Sequence, residues 1–343
     1  MIPASPLFSQ IPLPRCAEKS PRWQQLWREA ISDPLELLRL LGLEAQAQEL
    51  LAASDTGFAV RVPRGFVARM RHGDPADPLL LQVLPGIGEL LDAPGFSTDA
   101  VGDLAAGTVP GVLHKYAGRA LLIATGSCAI NCRYCFRRHF PYAEQTAAAG
   151  HWRIALDHLA GDSSINEVIL SGGDPLSLST AKLAELTDAL TGIAHVRRLR
   201  IHSRLPIVLP QRVDQELLAW LERLPIQKIL VVHANHANEI DETVAAACAE
   251  LTRAGVTLLN QSVLLRRVND SIEALVELSE RLLACSILPY YLHQLDRVAG
   301  TAHFEVADAL AIQLVEQMRG LLPGYLVPRL VREMAGAASK QPV

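Results

Sequence analysis

From about residue 117 the chain alternates between two hydrophobic rhythms. Short apolar runs rich in β-branched residues stand at Ala120–Ala124, Val168–Ser171, Leu199–His202, Ile229–His233, Val256–Asn260 and Ile287–Leu292. Between and after them, apolar residues recur at three- and four-residue steps over Leu183–Thr191, Gln215–Leu224, Glu242–Ala254, Ile272–Ala284 and Val306–Arg319. The first rhythm predicts strands, the second amphipathic helices. After the second strand, the strands recur about every 30 residues, the length of one strand–helix unit. Near-continuous apolar strands separated by helices imply a parallel sheet covered by helices. Six such units predict an α/β fold, an incomplete (β/α)6 barrel of the TIM type rather than a full eight.

The first 105 residues read differently, as helical and irregular. Trp23–Ala30 and Pro34–Leu51 carry apolar residues at helical steps. Asp33-Pro34 reads as an N-cap followed by proline at the first helical position. Val62-Pro-Arg-Gly-Phe66 and Pro75 to Pro78 are breakers. The expected division is a helical N-terminal extension over 1–105, the partial barrel over 106–330 and a tail over 331–343.

In parallel barrels the chemistry sits where the strands end at their C-terminal side. Those ends here are Cys128–Cys135, Ser171-Gly-Gly-Asp174, His202-Ser-Arg204, His233 to His236, Asn260-Gln261 and Tyr291 to Asp296. All six carry plausible ligands, which points to an enzyme. Cys128, Cys132 and Cys135 have C-x3-C-x2-C spacing. Three thiols cannot fill four metal positions, so an iron–sulfur cluster held by them keeps one iron open. Two other readings stand beside this one: a Cys3His zinc site completed by His139, and three unrelated thiols. Cys16, Cys248 and Cys285 are scattered, and the last two fall in apolar helical patterns where a thiol acts as a small hydrophobe.

Composition narrows the class. At 343 residues and 50% hydrophobic, the chain can bury a large core. A net charge of −4 gives no basic field for nucleic acid or anionic lipid. No apolar run reaches the length of a membrane span, and Met1-Ile-Pro-Ala-Ser-Pro lacks the basic start of a secretory signal. Six cysteines are too few for a disulfide scaffold, so a cytoplasmic protein with reduced thiols is expected.

Other positions carry two readings each. Gly172 and Gly173 let backbone approach a ligand closely, or form a tight turn. Arg137 and Arg138 suit a bidentate grip on a carboxylate, or a solvated surface. His233, Asn235 and His236 read as cofactor contacts or, less readily, as metal ligands. Asp296 suits pairing with an ammonium, or capping of a helix. Lys340 lies in a short tail, Gly336 to Val343, where a lysine is ordinarily solvated.

The cysteine motif, with Tyr134 before its last thiol, resembles the signature of the radical S-adenosylmethionine (SAM) enzymes. Longer strings resemble the lysine 2,3-aminomutases within that group, and most closely the shorter bacterial branch that makes β-lysine for elongation factor P. They are Cys128…Cys135-Phe-Arg-Arg138, Leu170-Ser-Gly-Gly-Asp174, Ile201-His-Ser-Arg204…Leu209-Pro-Gln-Arg212, Asn260-Gln-Ser-Val-Leu-Leu265…Val268-Asn-Asp270, Pro289-Tyr-Tyr291…Asp296 and Gly324-Tyr-Leu-Val-Pro328. The similarity runs from about residue 105 to the end, and a chain ending at Val343 fits the shorter branch.

The resemblance implies three cofactors: a [4Fe–4S] cluster on Cys128, Cys132 and Cys135, SAM, and pyridoxal 5'-phosphate (PLP). It implies that Lys340 is the catalytic lysine that bonds PLP, although Gln341 follows it where the family has threonine. Arg119 and Tyr116 match positions beside the PLP phosphate, and Gln261 and Asn269 match further pocket positions. Gly172, Gly173, Asp174, His202 and His233 match SAM contacts. Arg137 matches the grip on the substrate carboxylate, and Asp296 and Glu333 the acids that hold the lysine ammonium, Glu333 standing where long-tailed relatives have aspartate. The implied activity is conversion of L-lysine to β-lysine, in the (R) form for the elongation factor P branch; the alternatives are another aminomutase acting on glutamate or arginine and, from the cysteines alone, a zinc-binding non-catalytic protein. The implied partners are a flavodoxin or ferredoxin as electron donor, elongation factor P with its lysyl ligase, and further copies of the chain.

Overall fold

A computed structural model describes residues 22–51, 57–145 and 152–343. Cys16 lies outside the described residues. One sheet of ten strands organises the chain, and its spatial order is its sequence order. The strands are β1 (Gly107–Val109), β2 (Val112–Tyr116), β3 (Arg119–Thr125), β4 (Glu167–Gly172), β5 (Arg198–Ser203), β6 (Gln227–Val232), β7 (Thr257–Val263), β8 (Leu288–His293), β9 (Arg329–Arg332) and β10 (Gln341–Pro342). The six expected parallel strands are β3 to β8, and β9 adds to them in parallel. Antiparallel β1–β2 and β10 flank the two edges. No ladder among the described residues joins β10 to β1, so the barrel stays open.

Four outer helices begin where the sequence supplies a cap. Ser179, Asp214, Asp241 and Ser271 each accept a hydrogen bond from a first-turn N–H with their side chains, opening Thr180–Thr191, Gln215–Arg223, Glu242–Arg253 and Ile272–Ala284. Each buries one face against the sheet, as Leu183, Leu186 and Leu190 do in the first. Each leucine so buried contributes about 1.5–3 kcal/mol. Cys248 and Cys285 are buried among them, as expected.

Strand β5 departs from the continuous apolar pattern. Leu199 and Ile201 face the helices and are buried, while Arg200 and His202 line the lumen. An incomplete barrel leaves a lumen wide enough for polar side chains, which a fully packed interior would reject.

The N-terminal region packs into the same hydrophobic core as the barrel, through Ile31, Leu37, Phe66, Leu79 and Leu80. The Asp33 cap and Pro34 start a helix as expected. That helix ends at Leu40, not Leu51, because Gly42 turns left-handed (φ +66°) and two short helical turns follow, Glu44–Gln46 and Ala47–Leu50. The tail is likewise not free: Gln341 pairs with Arg332 and Pro342 with Val331. Among the described residues, no helix is long and apolar enough to cross a membrane.

Candidate active site

The turn after β3 carries the three cysteines, and the glycines at the end of β4 hold that turn in place. Gly173 N–H donates to the Thr125 carbonyl (2.7 Å) and Asp174 N–H to the Ser127 carbonyl (2.8 Å). A Cβ added at Gly173 would stand 2.5 Å from the Ser127 oxygen; one at Gly172, itself left-handed (φ +118°), 2.5 Å from the Thr125 oxygen. Close approach of backbone is the reason for these glycines, and what approaches is the cysteine loop. Gly173→Ala is therefore expected to displace the loop at a cost of about 1–3 kcal/mol. Thermal unfolding and bound iron, both reduced, are the measurements.

Asp174 lines the cavity, but its carboxylate is already committed. It accepts from Leu176 N–H (3.0 Å), Ser203 Oγ–H (2.7 Å), Arg204 N–H (2.8 Å) and Leu205 N–H (3.0 Å). It thereby ties the ends of β4 and β5 together.

All three thiols line one cavity of about 300 Å3. Burial and the neighbouring Cys132 push Cys135 up to about 11, and burial pushes Cys128 well above its usual value. An Arg204 Nη1–H meets Cys132 Sγ at 2.7 Å. Among the described residues, no three His, Cys, Asp or Glu side chains converge as a single ion would need. His139 is exposed, with Nε2 3.1 Å from the Ala299 carbonyl oxygen, so the zinc reading lacks its fourth ligand. Three separate thiols on one cavity suit a multi-iron cluster instead.

Lys340 lines the same cavity, carried there by the β9–β10 pairing. Its Nζ donates to Glu333 Oε2 (2.7 Å) and stands 5.8 Å from the Tyr291 ring centre. Tyr116 donates to the other Glu333 oxygen (2.5 Å), and the Arg119 guanidinium lies 4.6 Å from the Tyr116 ring centre. Burial opposes the charge of Glu333, but the Lys340 ammonium and these hydrogen bonds outweigh it and hold the carboxyl below its usual range.

Asp296 behaves oppositely. Its Oδ1 is sealed from solvent without a hydrogen-bond partner. Burial pushes its carboxyl up to about 7, with Lys340 pulling down and Glu333 pushing up. Its charge then costs stability as pH rises from the ordinary carboxyl value through about 7. Asp296→Asn should raise the melting midpoint of the ligand-free protein at about pH 8 and leave it unchanged near pH 4, where the unfolded aspartate is half protonated.

Between the thiols and these acids lie more polar groups. His202 Nδ1 and His233 Nε2 are 3.2 Å apart, and burial, with a neighbouring guanidinium and ammonium, lowers His233 to about 4. Arg137 donates to Asp103 (2.7 Å) and Ser171 (3.0 Å). Asp103 also binds Lys115 (2.6 Å). Gln261 Oε1 and His293 Nε2 line the cavity without partners. Orphaned polar atoms beside a lysine amine and three thiols fit organic cofactors as well as a cluster.

Every site residue that the family resemblance implies lines this cavity except one. Asn269 is buried away from it, bonded to Leu265 N–H (2.8 Å) and to the Asn235 and Val263 carbonyls (2.9 Å each). Its carboxamide staples two loops, and both of its N–H donors are spent on backbone carbonyls. Asn235 and His236 are also absent from the lining; His236 Nδ1 accepts from Asn238 N–H. Asp103, Lys115, Arg200 and His293 do line the cavity and were not singled out.

No family model matches the chain. The L-lysine 2,3-aminomutase of Escherichia coli (strain K12) is 50% identical over 323 residues, covering 94% of each chain. The chain belongs to the L-lysine 2,3-aminomutase family. The Haemophilus influenzae member is 48% identical over 93% of this chain and 94% of its own. The Clostridium subterminale member is 35% identical over 94% of this chain and 77% of its own. This family member also resembles solved structures loosely. Streptococcus suis SuiB gives a TM-score of 0.46 at 13% identity over 64% of this chain and 50% of that one. A radical SAM methyltransferase from Sphaerobacter thermophilus gives 0.45 at 17% over 64% and 68%. Likeness that loose adds nothing to the strand order described above.

Proposed function

We propose that this protein is an L-lysine 2,3-aminomutase, an isomerase that moves the amino group of L-lysine from C2 to C3 to give β-lysine. It uses a [4Fe–4S] cluster, SAM and PLP. The observation that carries the reading is one cavity lined by three thiols, the Lys340 amine and, beside it, the carboxylates of Asp296 and Glu333, in a chain 50% identical to an enzyme of that name. When bound, the cluster and SAM supply a hydrogen-abstracting radical, and PLP supplies the π-system across which nitrogen moves.

The protein's own residues bind and orient. Cys128, Cys132 and Cys135 would hold the cluster. Gly172, Gly173, His202 and His233 would border SAM, and Asp174, being saturated, supports that wall indirectly. Lys340 would bond PLP, with Arg119 and Tyr116 at its phosphate and Gln261 at its edge. Arg137, preset by Asp103 and Ser171, suits the substrate carboxylate. Asp296 and Glu333 suit the ε-ammonium, and a pair of acids disfavours glutamate as substrate. Lys340 now holds Glu333 with its own ammonium. Bonding PLP would free that acid for the incoming lysine.

The test is anaerobic: reconstituted protein with lysine, SAM, PLP and dithionite, followed by separation of α- from β-lysine. Conversion supports the reading; a fully loaded protein that makes no β-lysine overturns it, and arginine run in parallel examines the nearest alternative. A one-electron reductant of the flavodoxin or ferredoxin class, (R) handedness, delivery to elongation factor P through its lysyl ligase, self-association and a cytoplasmic setting complete the proposal. They are supported by the resemblance of the sequence strings and, for the setting, by thiols that must stay reduced.

A further inference from the structure

Beneath the cysteine loop lies a buried charge network outside the roles assigned above. Arg204, 6% exposed, sends Nη1 to Cys132 Sγ (2.7 Å) and Nη2 to Gln82 Oε1 (2.7 Å) and Glu239 Oε2 (2.9 Å). Its guanidinium sits 5.5 Å from the Phe66 ring centre and 5.6 Å from that of Tyr134. Glu239 is fully buried, and its other oxygen accepts from Asn235 N–H (2.9 Å), His236 N–H (3.2 Å) and Gln82 Nε2–H (3.1 Å). Gln82 and Phe66 belong to the N-terminal region, so that layer helps to grip the arginine.

We propose that Arg204, clamped by Gln82 and Glu239, raises the reduction potential of the cluster held by Cys128, Cys132 and Cys135. The proposal rests on the cofactor reading above. Reduction adds one electron to the cluster and spreads negative charge onto its sulfurs. A cation that donates a hydrogen bond to one of those sulfurs stabilises the reduced form more than the oxidised form. Burial strengthens the effect, because little solvent screens it. Glu239 works against it: by pairing with the same guanidinium it cancels part of the positive field at Cys132. Arg204 and Glu239 thus act on the cluster with opposite signs.

A purely structural arginine would serve as counterion for Glu239 and leave the potential alone. The two roles separate by EPR-monitored redox titration of reconstituted protein, with iron and sulfide content measured on each sample. Arg204→Met paired with Glu239→Gln leaves no buried charge unbalanced. It should lower the equilibrium constant for one-electron uptake at least about tenfold, equivalent to ~59 mV for one electron. Arg204→Lys, which keeps the charge but not the planar fork, should fall between this variant and the wild type. Glu239→Gln alone should shift the potential upward. An unchanged potential in the loaded paired variant overturns the proposal. If that variant takes up no cluster, Glu239→Gln decides: an upward shift supports the proposal, none overturns it. A wild-type protein that binds no iron and sulfide would refute the cofactor reading itself, and the tuning with it.

Discussion

Lys340→Ala is expected to abolish the near-visible absorbance of PLP bound to the protein and to cut β-lysine formation by about three orders of magnitude or more, the scale of losing a covalent catalytic group. Lys340 lines the cavity that holds the thiols, and an amine is what a carbonyl cofactor requires. The substitution also removes the cation on Glu333. Lys340→Arg separates the two consequences, since it keeps a cation for Glu333 and cannot form the bond. If the arginine variant retains activity, Lys340 is an electrostatic group and the bonding lysine lies elsewhere. If both variants lose the absorbance while their melting midpoints stay near wild type, the amine itself is required.

The second large effect belongs to the thiols. Cys132→Ala should yield folded protein without the broad visible colour of a [4Fe–4S] cluster and without activity. The side chain is only partly buried against the core, so its truncation should cost about 1 kcal/mol, the centre of the range for single substitutions. The loop backbone is held independently of the sulfur: Arg133 N–H donates to the Gln82 carbonyl (2.8 Å), and the Arg133 guanidinium binds Glu89 (2.7 Å) and the Phe58 carbonyl (2.7 Å). Circular dichroism and iron analysis on one sample separate the outcomes. Retained colour would move the cluster to other ligands.

The parallel strands were legible because β3, β4 and β6 carry apolar side chains on both faces, which no exposed element tolerates. The helices were legible from their spacing and caps. β9 and β10 were not: Arg329–Arg332 alternates charge with apolar residues, and Gln341–Pro342 is a strand only through pairing with its neighbour. The helix expected to reach Leu51 stops early because one glycine takes a left-handed turn. Within the site, residues in distinctive strings at strand ends do line the cavity. Asp103 was not, since it precedes the sheet in irregular chain and gains meaning only from Lys115 and Arg137. Asn269 misled for the converse reason. It lies in a matching string, yet its amide is spent on loop backbone.

The missing ladder between the edges of the sheet has a consequence for how the molecule breathes. What spans the cleft is a pair of side chains: Tyr116 and Lys115 of β2 reach Glu333 just past β9, which Lys340 holds from its own edge of the sheet. A backbone seam would be indifferent to ligands. This one converges on a single carboxylate, so whatever neutralises or recruits that carboxylate also loosens or tightens the rim. The strength of that rim is therefore set by charge rather than by backbone pairing.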